Sequence, residues 1–344
     1  MPIIRIFLIY VLSFFLFESA LIQANAQPQK VVIAHRGASG YLPEHTFASK
    51  VMAYAMGANY LEQDVVLTKD DQAIILHDIY LDAVTDIVQC FPNRGRKDGL
   101  HYAIDFTLKE IRSLKVHERI DLQSKKALYP NRFPSDHAIF RIHTLTEEIE
   151  LIQGLNQRMG SEVGLYVEIK DPQWHQKEGK DITKIVLGIL NQYGYQTQED
   201  QIVIQCFDVA ALKRLKFDLK TQIPLVQMLG ENYWWPNSPV DYNYLRTPKG
   251  LKEIATYAVG IGPWIRHIYL GKDKHQNPLF TSLVRDAHSK GLIVHPYIFS
   301  KDRLPKGIKD FNELLNVFYF ELGVDGVFTD FPDLVIQFLK NTSQ

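Results

Sequence analysis

Titratable side chains fall at the ends of four short apolar runs in the first half of this 344-residue chain. These side chains are His35 with Arg36, Glu62 with Asp64, His77 with Asp78, and Glu168 with Lys170. Two histidines that face one phosphate supply a base for the nucleophile and an acid for the leaving alkoxide. The combination indicates phosphodiester cleavage, whereas either histidine alone would more often be a structural hydrogen bonder.

The carboxylates of this set predict a metal site. Glu62 and Asp64 are two residues apart, so a strand places both on one face, where an unpaired buried pair is costly. Glu168 adds a third carboxylate. Three oxygen ligands favour a hard divalent ion over zinc, with Ca²⁺ preferred and Mg²⁺ as the alternative. The competing interpretation is a structural salt-bridge network with Arg36 and Lys170.

Two cationic side chains in the same motifs are suited to bind a phosphate. Arg36 can donate two parallel hydrogen bonds, and Lys170 can act as a point charge. The runs that follow end in Gln205, Phe207 and Tyr297, which we expect at the pocket mouth, with core packing favoured for at least one of them.

An aromatic pair lies further along the chain, at Trp234 and Trp235. The pair could cover a quaternary ammonium group by cation–π contact, although an aromatic plug in a loop is the favoured interpretation.

Eight short β-rich runs alternate with helical patterns and predict a (β/α)₈ barrel, with all the motifs at the carboxyl ends of strands. The runs are Val31–His35, Asn59–Asp64, Leu165–Lys170, Gln201–Phe207, Ile223–Leu229, Ala258–Gly262, Leu292–Ile298 and Val324–Thr329. Barrels of this type place their active sites at that end.

One segment, 65–78, does not fit the alternation. Its two strand runs are too close together for a parallel crossover, so it must be a hairpin. A two-residue turn at Asp70-Asp71 would place Asp64 directly opposite His77.

The charged, irregular stretch that follows, about 79–161, is predicted to be an insertion that caps one end of the barrel. Capping boxes at Thr107-x-x-Glu110 and Thr144-x-x-Glu147 predict two helix starts within it.

The composition describes one globular domain, 27–344, with no obvious linker. The net charge of −1 gives no global electrostatic reason to expect nucleic acid or an anionic membrane as partner. Any anion site must therefore be local, and the composition does not specify an oligomeric state. The small-molecule substrate that we expect is indicated by the motifs and not by the charge.

Residues 1–26 are predicted to be a secretory signal peptide, cleaved after Ala26. Arg5 precedes a twelve-residue apolar run, Ile6–Phe17, and small residues follow at Ala24-Asn25-Ala26. Such a run spans about 18 Å as a helix, well short of a bilayer core of roughly 30 Å. We expect a soluble periplasmic protein without stable membrane insertion.

The chain has two cysteines, Cys90 and Cys206. Neither lies at the cleavage point, where a lipid anchor would need one. A disulfide between them is the less favoured interpretation, because Cys206 lies in an apolar run typical of a buried free thiol.

The motifs together resemble those of the glycerophosphodiester phosphodiesterases. The matching strings are His35-Arg36-Gly37, Pro43-Glu44-His45-Thr46, Glu62-x-Asp64, His77-Asp78, Glu168-x-Lys170 and Gly326-Val327-Phe328-Thr329-Asp330. The resemblance extends from about Val31 to Lys340 and is greatest to the periplasmic bacterial type, which is similar to this chain at His45, where many members have Asn.

This resemblance implies a barrel that hydrolyses glycerophosphodiesters to sn-glycerol 3-phosphate and an alcohol such as choline, ethanolamine, glycerol or inositol. The implied roles are acid and base for His35 and His77, phosphate contacts for Arg36 and Lys170, and a divalent metal on Glu62, Asp64 and Glu168. Glu44 and Asp78 are interpreted as residues that orient Arg36 and a histidine, or else as cap or turn residues.

Two alternatives remain open at the level of sequence. A phospholipase-type phosphodiesterase also uses paired histidines, but it should expose an apolar rim for lipid. A catalytically silent surface binding protein could keep the same fold, although all six predicted catalytic side chains are present.

Overall fold

The computed structural model describes residues 30–137, 139–235 and 238–342. The predicted signal peptide, 1–26, lies outside these residues. Eight parallel strands form one barrel, and each overlaps one of the eight predicted runs. They are β1 (Val31–Ala34), β2 (Tyr60–Leu67), β4 (Gly164–Ile169), β5 (Ile202–Cys206), β6 (Leu225–Leu229), β7 (Gly260–Pro263), β10 (Ile293–Val294) and β11 (Gly326–Thr329).

The strands pair in the order β10, β7, β6, β5, β4, β2, β1 and β11. Hydrogen bonds beyond the end of β10 nearly close the ring, because Phe299 N–H donates to the Phe328 carbonyl at 2.8 Å and Asp325 N–H donates to that of Val294 at 3.1 Å. The predicted barrel is confirmed. All eight carboxyl ends therefore meet at one rim.

Helices alternate with these strands. They are α1 (Phe47–Ala55), α2 (Ile87–Cys90), α3 (Leu108–Ile111), α4 (Leu145–Met159), α5 (Pro172–Lys177), α6 (Ile182–Gln192), α7 (Val209–Lys213), α8 (Tyr242–Leu245), α9 (Pro248–Ile254), α10 (Leu283–His288), α11 (Phe311–Asn316) and α12 (Pro332–Thr342). The connection between β7 and α10 carries a two-stranded ribbon of β8 (Tyr269–Lys272) and β9 (Pro278–Phe280). Both predicted capping boxes are confirmed, at the starts of α3 and α4.

The two faces of each barrel strand contribute to different cores, as a period of two requires. In β4, Leu165 and Val167 pack with the surrounding helices, whereas Tyr166 faces the barrel interior beside Ile33 and Phe328. This alternation fixes which side chains reach the axis of the barrel.

The hairpin after β2 is present, but the predicted register is wrong by one residue. Val65 pairs with Ile75 in β3 (Ala73–Ile75), so Asp64 lies opposite Leu76, whose N–H donates to the Asp64 carbonyl at 2.9 Å. The cause is a three-residue loop, because Asp71 adopts a left-handed φ of 58° and the ladder closes between Thr68 and Gln72. His77 follows the last paired residue and enters the barrel mouth.

The stretch predicted as an insertion, 79–161, divides into two parts. Residues up to about 143 pack around a separate apolar cluster that includes Leu81, Phe106 and Leu114. The helix α4 instead buries its apolar face in the main core and leads directly into β4. The inserted segment is therefore defined here as residues 76–143, and α4 belongs to the barrel.

No helix in the described part of the chain is long and apolar enough to cross a membrane. Both cysteines are free thiols, Cys90 exposed and Cys206 buried. The Cys206 thiol donates to the Ile169 carbonyl at 3.1 Å, which confirms the interpretation of a buried free thiol.

Candidate active site

A cavity of about 700 Å³ opens at the carboxyl ends of the barrel strands. One part of its wall is polar and includes His35, Arg36, Glu62, Asp64, His77, Asp78, Glu168 and Lys170. Another part is aromatic and includes Phe207, Trp234, Trp235, Tyr242 and Tyr297. Except for Glu44 and Gln205, every site residue predicted from the sequence lines this one cavity.

His35 follows β1, and a carboxylate holds its ring on the Nδ1 side. Its Nδ1 lies 2.6 Å from Oδ1 of Asp330, the residue that follows β11. Burial alone would raise the pKa of Asp330, but the hydrogen bond and charge of His35 and the charge of Arg132 hold this pKa below its usual value. Because an ionised carboxylate only accepts, Nδ1 carries the proton, and Nε2 is the nitrogen left for chemistry.

His77 has the same arrangement on another element. Its Nδ1 lies 2.7 Å from Oδ1 of Asp78, and the other oxygen of Asp78 accepts from Nη1 of Arg119 at 2.6 Å. Burial, together with the charges of Arg36 and Lys170, lowers the pKa of His77 to about 4. The His77 ring is therefore neutral at neutral pH.

Arg36 is aimed into the cavity by an unusual turn. It adopts a φ of 59°, and its own N–H donates to Oε2 of Glu62 at 2.7 Å. Gly37 follows with a φ of 89°, and a Cβ there would lie within 2.9 Å of the Ser49 backbone, so only glycine fits. The Arg36 Nη1 donates to Glu44 at 2.9 Å, while its buried Nε has no hydrogen-bond partner and lies 3.8 Å from Oδ2 of Asp64. The orienting role of Glu44 stays a prediction.

The three predicted ligand carboxylates are buried close together. Gln205 Nε2 lies 3.0 Å from Oε1 of Glu62 and 3.5 Å from Oε2 of Glu168, and Lys170 Nζ donates to Oε1 of Glu168 at 2.6 Å. Burial, reinforced by the neighbouring carboxylates, raises the pKa of Glu168 to about 8 and raises that of Glu62 as well. A cation at this point would relieve that repulsion.

Asp64 sits at the centre of the group. Burial alone would raise its pKa, but the charge of Lys170 and the hydrogen bond from His45 hold it well below its usual range. Its Oδ1 is buried without a hydrogen-bond partner. An ionised, buried oxygen with a free lone pair is the feature expected of a metal ligand.

His45 is a further member of the cluster. Its Nε2 lies 2.7 Å from Oδ2 of Asp64, and burial lowers its pKa to about 3, so the neutral ring donates this hydrogen bond. Among the described residues, the group whose potential ligand atoms all lie within 4.8 Å of one another is His45, Glu62 and Asp64. The sequence motif contained His45, but no role was predicted for it.

Lys50 supports this cluster from α1. Its side chain is fully buried, donates to the Glu62 carbonyl and pairs with Glu148 of α4 at 2.9 Å. Glu148 also accepts from Gln63 at 2.8 Å and lies 2.5 Å from His143 Nε2. The backbone of β2 between the two carboxylates is therefore anchored to both neighbouring helices.

The aromatic wall is tightly packed. Phe207 lies 5.1 Å from Trp235 and 5.9 Å from Tyr297, measured between ring centres. The Tyr297 hydroxyl donates to the Leu229 carbonyl at 2.8 Å. Of the three residues expected at the mouth, Phe207 and Tyr297 line the cavity, whereas Gln205 is fully buried beneath the carboxylates.

Sequence reasoning missed three buried cations, namely Lys50, Arg119 and Arg132. Each forms a salt bridge with a partner far away in the sequence, and the longest separation, between Arg132 and Asp330, is 198 residues. No local motif signals such pairs. The position of Asp330 at the end of the last strand was the single available hint.

Comparisons with known proteins agree with this geometry. The glycerophosphoryl diester phosphodiesterase family model matches residues 35–334. A glycerophosphodiester phosphodiesterase of Haemophilus influenzae is 42% identical over 94% of this chain and 93% of its own length, and one of Treponema pallidum is 37% identical over 93% and 94%.

Solved structures share the fold. A glycerophosphoryl diester phosphodiesterase structure from Silicibacter pomeroyi has a TM-score of 0.68 at 23% identity, covering 92% of this chain and 95% of its own. An Oleispira antarctica phosphodiesterase, solved in complex with the product sn-glycerol-3-phosphate, has a TM-score of 0.59 at 20% identity, covering 90% and 96%. This chain belongs to the glycerophosphoryl diester phosphodiesterase family and is an enzyme of that family.

Proposed function

We propose that the enzyme hydrolyses glycerophosphodiesters such as glycerophosphocholine and glycerophosphoethanolamine to sn-glycerol 3-phosphate and an alcohol. One observation carries the proposal. Two histidines, each bonded through Nδ1 to a carboxylate, line a single cavity together with Arg36, Lys170 and the buried acids. The product bound in the Oleispira antarctica structure supports the same reaction class.

In the proposed mechanism, the substrate phosphate lies between Arg36 and Lys170. Arg36, which lines the cavity, would donate to a phosphate oxygen and neutralise charge that develops in the transition state. Nε2 of one histidine accepts the proton of the nucleophile, and Nε2 of the other donates a proton to the leaving alcohol. The nucleophile is either water or the glycerol 2-hydroxyl, and detection of a cyclic phosphate would identify the second route.

We assign the metal to Glu62, Asp64 and Glu168, with Ca²⁺ preferred and Mg²⁺ as the alternative. The donor chemistry fits, since the three acids line one cavity and Asp64 has an oxygen without a hydrogen-bond partner. Glu168 lies outside the group of His45, Glu62 and Asp64 whose potential ligand atoms are all within 4.8 Å of one another, so it would have to approach the ion from the neighbouring strand. Hard ions prefer oxygen ligands, so His45 is assigned to orienting Asp64 rather than to coordination. When bound, the ion would neutralise a non-bridging phosphate oxygen and bind a glycerol hydroxyl.

The aromatic wall suits the alcohol end of the substrate. Phe207, Trp235 and Tyr297 face a cavity far larger than a phosphate requires. Aromatic faces attract quaternary ammonium groups, so we propose that choline is accommodated there.

The deciding experiment measures release of glycerol 3-phosphate from glycerophosphocholine with and without a chelator. We expect turnover that the chelator abolishes and Ca²⁺ restores. Glu62→Gln, Asp64→Asn and Glu168→Gln should each weaken metal binding in calorimetry, independently of activity. Cleavage of phospholipids in place of glycerophosphodiesters would indicate the phospholipase alternative, and product binding without turnover would indicate a silent binding protein.

A further inference from the structure

The aspartates that bond to the two histidines are themselves held by arginines of the inserted segment, to which His77 and Asp78 also belong. Arg132 donates from Nη2 to Oδ2 of Asp330 at 2.7 Å, while Oδ1 of the same carboxylate faces His35. Arg119 donates from Nη1 to Oδ2 of Asp78 at 2.6 Å, while Oδ1 faces His77. On both sides, one carboxylate oxygen serves the histidine and the other serves an arginine of the inserted segment.

We propose that Arg119 and Arg132 are positioning residues for catalysis, each of which fixes the carboxylate that orients one histidine. The inserted segment is then a working part of the active site rather than a cover. This inference rests on the acid and base roles proposed for His35 and His77.

The Arg132 contacts leave Asp330 no freedom to rotate. The Arg132 side chain is only 4% exposed, also bonds to Asp302 at 2.9 Å and donates to the Ser39 carbonyl at 3.2 Å. Ser39 Oγ and Ser300 Oγ complete the shell, at 3.1 Å from Oδ1 and 2.9 Å from Oδ2 of Asp330. A carboxylate with both oxygens occupied presents one fixed acceptor to the His35 Nδ1–H.

Arg119 does the same for His77 and adds a link to the phosphate site. It donates to both oxygens of Glu44, from Nη2 at 2.6 Å and from Nε at 2.8 Å, and Glu44 in turn accepts from Arg36. One buried arginine therefore orients a histidine through Asp78 and the phosphate-binding Arg36 through Glu44.

The ionisation state of Asp78 supports the same positioning role for Arg119. Burial alone would raise the pKa of Asp78, but the charge of Arg119 and the hydrogen bond from His77 hold it below its usual value. An ionised Asp78 can only accept, which keeps the His77 proton on Nδ1. A protonated Asp78 could donate instead and allow the wrong tautomer.

The test compares Arg119→Gln and Arg132→Gln with His77→Ala and His35→Ala on two substrates, glycerophosphocholine and the nitrophenyl ester of glycerol 3-phosphate. The nitrophenyl ester needs no acid, so it restores turnover only where the acid has been impaired. We expect each arginine variant to lose roughly 10–100-fold in kcat with KM less affected, as is usual for residues that orient an active group. We further expect each arginine variant to follow the substrate pattern of its own histidine.

Double variants make the test specific. Arg132→Gln should cost nothing further in a His35→Ala background but should still cost activity in a His77→Ala background. Arg119→Gln should lower kcat in both backgrounds, because Arg119 also acts on Arg36 through Glu44. The loss in kcat should be smaller in the His77→Ala background than in the His35→Ala background. The matched control is Arg214→Gln, which should leave kcat unchanged. It removes two hydrogen bonds from Arg214 to Asp181, outside the cavity.

Folding is checked by thermal unfolding. Arg119→Lys and Arg132→Lys keep the buried charge if the Gln variants do not fold, and they should show smaller losses with the same substrate pattern. Wild-type kcat in the arginine variants, or losses equal on both substrates and additive with both histidines, would overturn the inference. If the histidine variants themselves keep wild-type turnover, the proposed mechanism fails instead.

Discussion

At the scale of single residues, His35 and His77 come from different elements yet make the same hydrogen bond, although the His77 side chain is 31% exposed and that of His35 is 11% exposed. Each bonds through Nδ1 to an aspartate whose pKa is held low, and each lines the cavity that contains Arg36. Two oriented imidazoles with free Nε2 atoms are arranged for separate proton transfers to and from one phosphate.

We therefore predict that His35→Ala and His77→Ala each lower turnover of glycerophosphocholine by roughly 10²–10⁴-fold, the usual effect of losing a general acid or base. Metal affinity should change little. A nitrophenyl leaving group should restore the variant that lacks the acid and leave the other impaired, so steady-state kinetics on both substrates assigns the roles. Near wild-type turnover in both variants would show that the histidines are structural.

At the scale of elements, the inserted segment is bound to the barrel mouth by buried charges. A further buried acid in this segment costs folding free energy. Glu118, next to Arg119, is only 2% exposed, and its Oε2 is buried without a hydrogen-bond partner. Burial, reinforced by the negative charge of Glu44, raises the pKa of Glu118 to about 7.

This shift predicts a pH-dependent stability. Below the unfolded pKa, near 4.5, Glu118 is protonated in both states and costs nothing. As the pH rises from about 4.5 through about 7, Glu118 ionises in the unfolded state before it ionises in the folded state. The free energy of unfolding therefore falls over this range. Glu118→Gln should match wild type at pH 4 and exceed it above pH 7, by an amount on the order of 3 kcal/mol at most. Chemical denaturation across this range measures the difference, and a constant difference would contradict the assignment.

At the scale of the whole molecule, the nearly closed barrel brings the ends of β1, β2, β4 and β11 to one rim, so residues from distant parts of the chain share a cavity. We propose that the residues that precede the barrel serve export. Their short apolar run and small-residue end are typical of export rather than of catalysis.

We propose that the mature enzyme begins at or near Gln27 and is recovered in the soluble periplasmic fraction. Mass spectrometry of the N-terminal peptide after fractionation tests this directly. An intact Met1 end in the membrane pellet would contradict it, and Ala24→Arg should impair processing because cleavage requires small residues at this end.

The sequence alone determined the barrel, two of the helix starts and most of the residues that meet at the rim. These features depend on local patterns, namely a period of two, capping boxes and motifs at the carboxyl ends of strands. Once the barrel closes, the strands fix where these side chains lie. His35 and Arg36 follow the end of one strand, and Glu62 and Asp64 lie on one face of the next.

Only the tertiary structure decided the hairpin register and the contacts behind the active site. The register depends on one residue, Asp71, whose left-handed φ lengthens the loop by a residue. The pairs of Arg119 with Asp78 and of Arg132 with Asp330 depend on the path of the inserted segment across the rim. Long-range pairing of buried charges has no sequence period, because it is set by where desolvated carboxylates need a partner.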